Sequence, residues 1–232
     1  LRWPKPSTVR ARSCASTRNI AIEPGSTNVM SPRIYLASRS PRRRELLRQI
    51  GVSFDVITFR NGERGNDADV DESPFSGETP ERYVERLALS KAEAGVRRIL
   101  WRKMLRQPVL AADTALEVDG EIIGKPSDAA QAEAILARLS NGRHRVLTAV
   151  AVSDGERTRS RVSISEVRFR ALSADDIRNY VASGEPMDKA GAYAIQGKAA
   201  AFIEEIHGSH SGIMGLPLFE TAQLLNEFGH SL

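Results

Sequence analysis

The chain has 232 residues, of which 41% are hydrophobic and 27% are charged, and its formal net charge is +4. This length fits one large domain or two small ones with a sizeable core, and the mixed composition excludes a low-complexity chain. No apolar run approaches the roughly 18 residues that a membrane span needs, so a membrane protein is not expected.

The excess of positive charge lies in the first 29 residues. Five of the 33 Lys and Arg residues and one of the 29 Asp and Glu residues fall there, which leaves 28 of each sign in residues 30–232. A neutral body argues against a nucleic-acid partner. Because residues 1–29 lack periodic apolar positions and precede Met30, we expect a disordered extension or non-native upstream segment, followed by a single domain over residues 30–232.

Cysteine use bears on the cellular compartment. The only cysteine, Cys14, lies in residues 1–29, so the body can form no disulfide and has no thiolate nucleophile. A reducing cytoplasm is therefore the expected location.

The predicted elements alternate between strands and helices. Strands are predicted at residues 34–37, 52–59, 109–112, 145–153, 161–170 and 201–206, with a type I′ hairpin at Asp119-Gly120. Helices are expected to begin after capping signals at Ser40, Thr79, Ser127-Asp128 and Ser173, and at Pro217. Residues 97–106 are predicted to form a basic, exposed segment, and residues 208–215 are predicted to form a Gly-rich loop. The alternation with hairpins predicts an α/β fold with a mixed sheet.

The junction between the first strand and the first helix combines hydroxyls and guanidiniums. Ser40 is the predicted N-cap and Pro41 the first helical residue, and a helix N-terminus favours anions. The polar side chains there are Ser38, Arg39, Ser40, Arg42, Arg43 and Arg44. Hydroxyl and guanidinium groups at a helix N-terminus are typical of a phosphate-binding site. A basic surface loop is the alternative interpretation.

The hairpin at Asp119-Gly120 predicts a neighbour for Asp113. If Val118 faces Glu121, Thr114 lies opposite Lys125 and Asp113 is diagonal to Lys125, within side-chain reach. Asp113 also follows an apolar run, at the mouth of the predicted sheet, where α/β proteins bind ligands. A salt bridge that only stabilises the hairpin is the alternative.

Lys91 is unusual because it falls on the apolar stripe of the second helix, with Val84, Leu87 and Ala88. Either it extends its ammonium to the surface or it reaches into a cleft to meet phosphate. The preceding loop, residues 61–77, carries acids that are either solvated or hold Mg²⁺. They are Asp67, Asp69, Asp71 and Glu72.

Other catalytic patterns find little support. His207 and His210 have no spacing that suits zinc, so we expect surface residues. The sequence contains no G-x-S-x-G elbow, so acyl transfer is not expected.

Several of these segments occur together in one family. The chain resembles the Maf family of nucleotide pyrophosphatases over about residues 32–228. The matching segments are 38–43, 80–92, 112–114 with 124–126, 139–146, 185–197 and 215–218.

The resemblance implies a mixed sheet with helices around a deep cleft, a protein that is often a homodimer, and hydrolysis of nucleoside triphosphates between the α and β phosphates with Mg²⁺ or Mn²⁺. It implies Asp113 as proton acceptor and metal ligand, and Arg42, Thr114 and Gln196 as selecting the substrate. It further assigns Glu72, Lys91 and Lys125 to metal and phosphate handling; Ser38, Ser40 and Arg43 join them as substrate contacts.

Asp-Thr at 113–114 with Ile-Gln-Gly at 195–197 resembles the branch that acts on dTTP and UTP. The alternatives are a pyrophosphatase for modified nucleotides such as 7-methyl-GTP, and a non-enzymatic regulator of septum formation.

Overall fold

A seven-stranded mixed sheet organises the protein. The computed structural model describes residues 33–57 and 70–230, which belong to the unit Ser31–Leu232. The strands are β1 (Ile34–Leu36), β2 (Phe54–Val56), β3 (Val109–Val118), β4 (Glu121–Ile123), β5 (Arg143–Ser153), β6 (Thr158–Phe169) and β7 (Ile203–His207). The predicted extension at residues 1–29, Asp67 and Asp69 lie outside the described residues.

The strand order is β2-β1-β3-β5-β6-β7, and β4 also pairs with β3. Pairing is parallel among β1, β2 and β3, and antiparallel elsewhere. The predicted α/β fold with a mixed sheet is therefore confirmed.

Six α-helices flank the sheet in the described part of the chain. They are α1 (Pro41–Gln49), α2 (Pro80–Trp101), α3 (Ala129–Leu139), α4 (Ala174–Ala182), α5 (His210–Met214) and α6 (Leu218–Glu227). Short 3₁₀ helices cover Glu185–Asp188, Ala190–Ala192 and Lys198–Phe202. None of these described helices is both long enough and apolar enough to cross a membrane.

Local capping signals define the helix starts, as predicted. The side chains of Ser40 and Thr79 accept hydrogen bonds from backbone N–H groups in the first turns of α1 and α2, each with proline at the first helical position. Asp128 caps α3, and Ser173 with Asp176 forms the predicted capping box of α4.

The β3–β4 hairpin also follows the sequence. Asp119 and Gly120 both have positive φ, 52° and 82°, and Val118 pairs with Glu121. These are the features of a type I′ turn.

Three predictions about the elements were wrong. β3 continues to Val118, so Asp113 lies inside a ten-residue strand and not at the end of a short one. α2 continues through part of the segment that we expected to be exposed, and Arg98 is fully buried because it lies seven residues after Lys91 on the core-facing stripe. The Gly-rich loop after β7 contains the short helix α5.

Candidate active site

The candidate site lies where two strands leave one edge of β3 open. β1 pairs with Val109–Leu110 at the start of β3, and β4 pairs with Leu116–Val118 at its end. Asp113 and Thr114 lie between these two pairings. A cavity of about 940 Å³ opens at this point, which is the size range of small-molecule sites.

The ten residues that the family resemblance assigns to the site all line this cavity. They are Ser38, Ser40, Arg42, Arg43, Glu72, Lys91, Asp113, Thr114, Lys125 and Gln196. They come from six separate stretches of chain, so the fold brings them together. Their individual roles stay predictions. His207 and His210, expected at the surface, are exposed.

Asp113 and Thr114 serve opposite faces of the sheet, since successive side chains of a strand alternate. Asp113 shares the face of Ala111 and Ala115, which pack in the core cluster that contains α2 residues. Thr114 contacts the other side, where its hydroxyl accepts a hydrogen bond from Arg43 Nη2 at 3.2 Å.

Lys91 joins two carboxylates at the centre of the site. Its Nζ lies 2.7 Å from Asp113 Oδ1 and 2.5 Å from Glu72 Oε1. The side chains of Lys91 and Asp113 are only 13% and 12% exposed. Lys91 therefore reaches into the cleft, which excludes the interpretation that it extends to the surface.

The predicted pairing of Asp113 with Lys125 was wrong in its partner. The structure pairs Asp113 with Lys91, because β4 ends at Ile123 and the ladder does not continue to Lys125. Lys125 nevertheless lines the same cavity.

Close packing of α2 on β3 sets the Lys91–Asp113 distance. Gly95 lies one helical turn after Lys91, and a Cβ at that position would come within 2.6 Å of Val109 Cγ1. The absent side chain lets the helix backbone approach the strand. The Lys91 ammonium is thereby held against Asp113.

The charges of this cluster shift the pKa values of Lys91 and Glu72. Burial lowers the pKa of Lys91, but Asp113 and Glu72 outweigh it and the net pKa is raised. Burial likewise opposes ionisation of Glu72, yet Lys91 brings the pKa of Glu72 below its usual value. Lys91 is therefore a cation and Glu72 an anion at neutral pH.

Glu72 is held over the cavity by contacts to α2 that the sequence did not reveal. The Tyr83 hydroxyl donates to the Glu72 carbonyl oxygen at 2.9 Å, and burial and the carboxylates of Asp113 and Glu72 raise the pKa of Tyr83 to about 12. Arg86 binds Glu78 through two nitrogens at 2.6 and 2.8 Å and donates to the Ser73 carbonyl oxygen at 3.1 Å. These contacts define how residues 72–78 lie on α2.

Arg43 ties three parts of the site together. Its Nε donates to the Gly215 carbonyl oxygen at 2.7 Å, and its other nitrogens contact Thr114 and the hydroxyl of Ser38, the latter at 3.4 Å. Ser40 is used as the cap of α1, where its hydroxyl accepts from the Arg43 N–H. Arg43 and Ser40 thus build the walls of the cavity as well as facing it.

Arg42 and Gln196 also line the cavity, and they have fewer contacts than Arg43. Arg42 Nη1 lies 4.0 Å from Asp188 Oδ2, at the limit of an ion pair. Gln196 is exposed, whereas its neighbours Ala194 and Ile195 are buried. Both side chains are thus available to a bound molecule.

The sequence matches a known protein family over most of its length. The family model described as Maf-like protein matches residues 33–228. The chain belongs to this family. The resemblance predicted from the sequence is confirmed, and the matched region contains every residue of the cavity.

Relatives in the family carry a more specific name. A protein of Aromatoleum aromaticum named dTTP/UTP pyrophosphatase is 72% identical over 200 residues, which cover 86% of this chain and 97% of the relative. Proteins with the same name from Dechloromonas aromatica and Nitrosomonas europaea are 56% and 54% identical, over 85% and 86% of this chain and 98% and 96% of the relatives.

Proposed function

We propose that this Maf-family protein is a nucleoside triphosphate pyrophosphatase that hydrolyses dTTP and UTP to the monophosphate and pyrophosphate. The observation that carries the proposal is the Asp113–Lys91–Glu72 cluster, which faces a cavity rich in cationic side chains. Relatives that share most of their length with this chain are named for the same activity.

The charges of the site suit a triphosphate. Arg42, Arg43, Lys91 and Lys125 line one cavity, and guanidinium and ammonium groups bind phosphate through charge-assisted hydrogen bonds. When phosphorus is attacked, these fixed cations stabilise the negative charge that develops on the phosphate oxygens. No covalent intermediate with the protein is needed.

Asp113 is the proposed general base. It is buried on a central strand with Lys91 as its partner, so its orientation is fixed before substrate binds. In the proposed reaction a water attacks the α-phosphorus, Asp113 takes the proton of that water, the bond from this phosphorus to the α–β bridging oxygen breaks, and pyrophosphate leaves.

The residues present fit a divalent cation. Glu72 and Asp113 already share one cationic group, Lys91 Nζ, and no third His, Cys, Asp or Glu joins them among the residues described. Two carboxylates supplemented by substrate phosphates are a common way of binding Mg²⁺. When bound, such a cation would neutralise phosphate charge and acidify the attacking water.

A nucleotide panel tests the proposal. The protein is incubated with dTTP, UTP, CTP, GTP and 7-methyl-GTP, with Mg²⁺ or Mn²⁺ and in parallel with a chelator, and pyrophosphate is measured. We expect dTTP and UTP to be the best substrates and the chelator to stop the reaction. Release of orthophosphate, or preference for 7-methyl-GTP, would contradict the assignment, and no hydrolysis at all would favour a binding or regulatory role.

A further inference from the structure

Gln196 lies in a turn whose two ends are held by side chains that the proposed reaction does not use. The Gly197 N–H donates to the Ala194 carbonyl oxygen at 3.0 Å, which closes a turn with Ile195 and Gln196 at its centre. Ile195 is buried in the core, and Gln196 faces the cavity.

Tyr180 of α4 holds the entry of this turn. Its hydroxyl accepts a hydrogen bond from the Ala194 N–H at 3.2 Å and donates its own proton to Glu185 Oε1 at 2.9 Å. Burial and the neighbouring Glu185 raise the pKa of Tyr180, so the hydroxyl keeps the proton that it donates.

Glu185 holds the exit. Its second carboxylate oxygen, Oε2, accepts from the Lys198 N–H at 3.2 Å. The carboxylate also lies directly against Gly197, where any Cβ would overlap it. The two N–H groups that flank the turn, at residues 194 and 198, are thus bound to one linked pair of side chains.

We infer that Glu185 and Tyr180 are positioning residues for nucleobase selection, because together they fix the turn that presents Gln196 to the pyrimidine ring. This inference rests on the proposed function. Uracil and thymine offer an N3–H donor between two carbonyl oxygens, and cytosine offers a different edge. A side chain can discriminate between these edges only if its carbonyl and amide are held in place.

Two substitutions test the inference. Tyr180→Phe removes the acceptor for the Ala194 N–H and the donor to Glu185. Glu185→Gln leaves one acceptor where the site needs two, for Tyr180 and for the Lys198 N–H. Asp176→Asn is the matched control, since Asp176 stabilises the start of the same helix α4 through Ser173 and Arg170 but does not contact the turn.

The measurement is kcat and KM with UTP and with CTP, together with thermal unfolding of each variant. We expect both substitutions to lower the ratio of kcat/KM for UTP over CTP by about five-fold or more, the effect of losing one hydrogen bond. The change should come from a higher KM for UTP, with kcat for UTP within about two-fold of wild type, because Asp113 and Lys91 are untouched. The control should lower thermal stability and leave the ratio unchanged.

The outcomes separate this inference from the proposed function. A wild-type protein that prefers UTP, with variants that keep the same preference, would overturn the inference and leave the proposed function intact. An equal loss of preference in Asp176→Asn would also overturn it, because general loosening of α4 would then suffice. A wild-type protein that hydrolyses UTP and CTP equally would overturn the proposed function, and the inference with it. If Glu185→Gln does not fold, Tyr180→Phe, which deletes a single oxygen, decides alone.

Discussion

Lys91 Nζ and Asp113 Oδ1 lie 2.7 Å apart, and this contact joins the long helix α2 to the strand β3 in the lining of the cavity. The ammonium also contacts Glu72, so one cation holds two acids that would otherwise repel each other. This geometry gives each of the three groups a separate, measurable role.

Asp113→Asn should retain the fold and the binding of dTTP but lower kcat by roughly 10²–10⁴-fold, the usual contribution of a general base. Asparagine has the same shape, and its carbonyl oxygen can still accept from Lys91, but it cannot take a proton from water. Steady-state pyrophosphate release and dTTP titration check the two halves of this prediction. Wild-type turnover in the variant would leave Asp113 only as a partner that fixes Lys91.

Lys91→Met should move the acidic limb of the pH–rate profile to higher pH. Against the effect of burial, Lys91 lowers the pKa of Glu72 more than Lys125 and Arg43 do, so its removal lets that pKa rise. Glu72 is then protonated, and inactive as a metal ligand, at a higher pH than in the wild type. The matched control is Lys125→Met, which removes one charge from the same cavity; it should chiefly raise KM and shift the limb less, because Lys125 affects Glu72 less than Lys91 does. Identical shifts of the limb in both variants would argue against a specific Lys91–Glu72 interaction.

Arg86→Ala should weaken the response to Mg²⁺ without changing the side chains that are proposed to bind phosphate. Arg86 binds Glu78 and Ser73 and lies 4.0 Å above the Phe75 ring, so it holds the segment that carries Glu72. We expect a several-fold higher Mg²⁺ concentration for half-maximal activity, consistent with the loss of one charged hydrogen-bond pair. Arg82→Ala, an exposed position on the same helix, serves as control and should behave as wild type. An unchanged Mg²⁺ dependence in Arg86→Ala would show that residues 72–78 stay in place without it.

Local chemistry accounts for what could be predicted from the sequence. The caps at Ser40 and Thr79 and the turn at Asp119-Gly120 depend on neighbours within four residues, so the pattern alone identifies them. The apolar face of α2 could also be predicted from the sequence. Where it contained a charged residue, at Lys91 and again at Arg98, only the packing of the helix on the sheet decided that the side chain is buried.

The contacts that position the site could not be predicted because they join distant parts of the chain. Asp113 meets Lys91 and not Lys125, since Gly95 lets α2 approach β3 and β4 is short. The hydroxyls of Tyr83 and Tyr180 each form a hydrogen bond with a backbone group, and the sequence does not predict that these groups lie close together. Long-range contacts of this kind leave no periodic signal.

Stability should fall as the pH drops from about 6.5 to about 4, in part because of His144. Burial lowers the pKa of His144 to about 4, and its Nε2 lies 2.8 Å from the Tyr193 hydroxyl. In the unfolded state His144 takes up a proton at its ordinary pKa of about 6.5, whereas in the folded state it stays neutral. The contribution of His144 to stability is therefore fully present above that pH and is lost as the pH falls below it. The expected contribution is about 2 kcal/mol between pH 7 and pH 5. Urea unfolding at both pH values measures it, and His144→Gln, which does not titrate, should reduce the pH dependence by that amount. An equal pH dependence in the variant would assign the effect to other groups.

Gln196→Ala should reduce the difference in kcat/KM between UTP and CTP by a larger factor than it lowers kcat/KM for UTP. Gln196 is exposed to the cavity and offers both a carbonyl oxygen and an amide, which can pair with the edge of uracil or thymine. Cytosine replaces one acceptor of that edge with an amino donor, so the same side chain faces a mismatch and leaves polar groups unpaired. Removal of the side chain abolishes both the match and the mismatch. Ratios of kcat/KM for UTP, dTTP and CTP check the prediction, with Arg42→Lys as a comparison that keeps the charge of another side chain that lines the cavity. A UTP preference that survives in Gln196→Ala would assign base selection to another wall of the cavity, with Arg42 and Asp188 as the groups to test next.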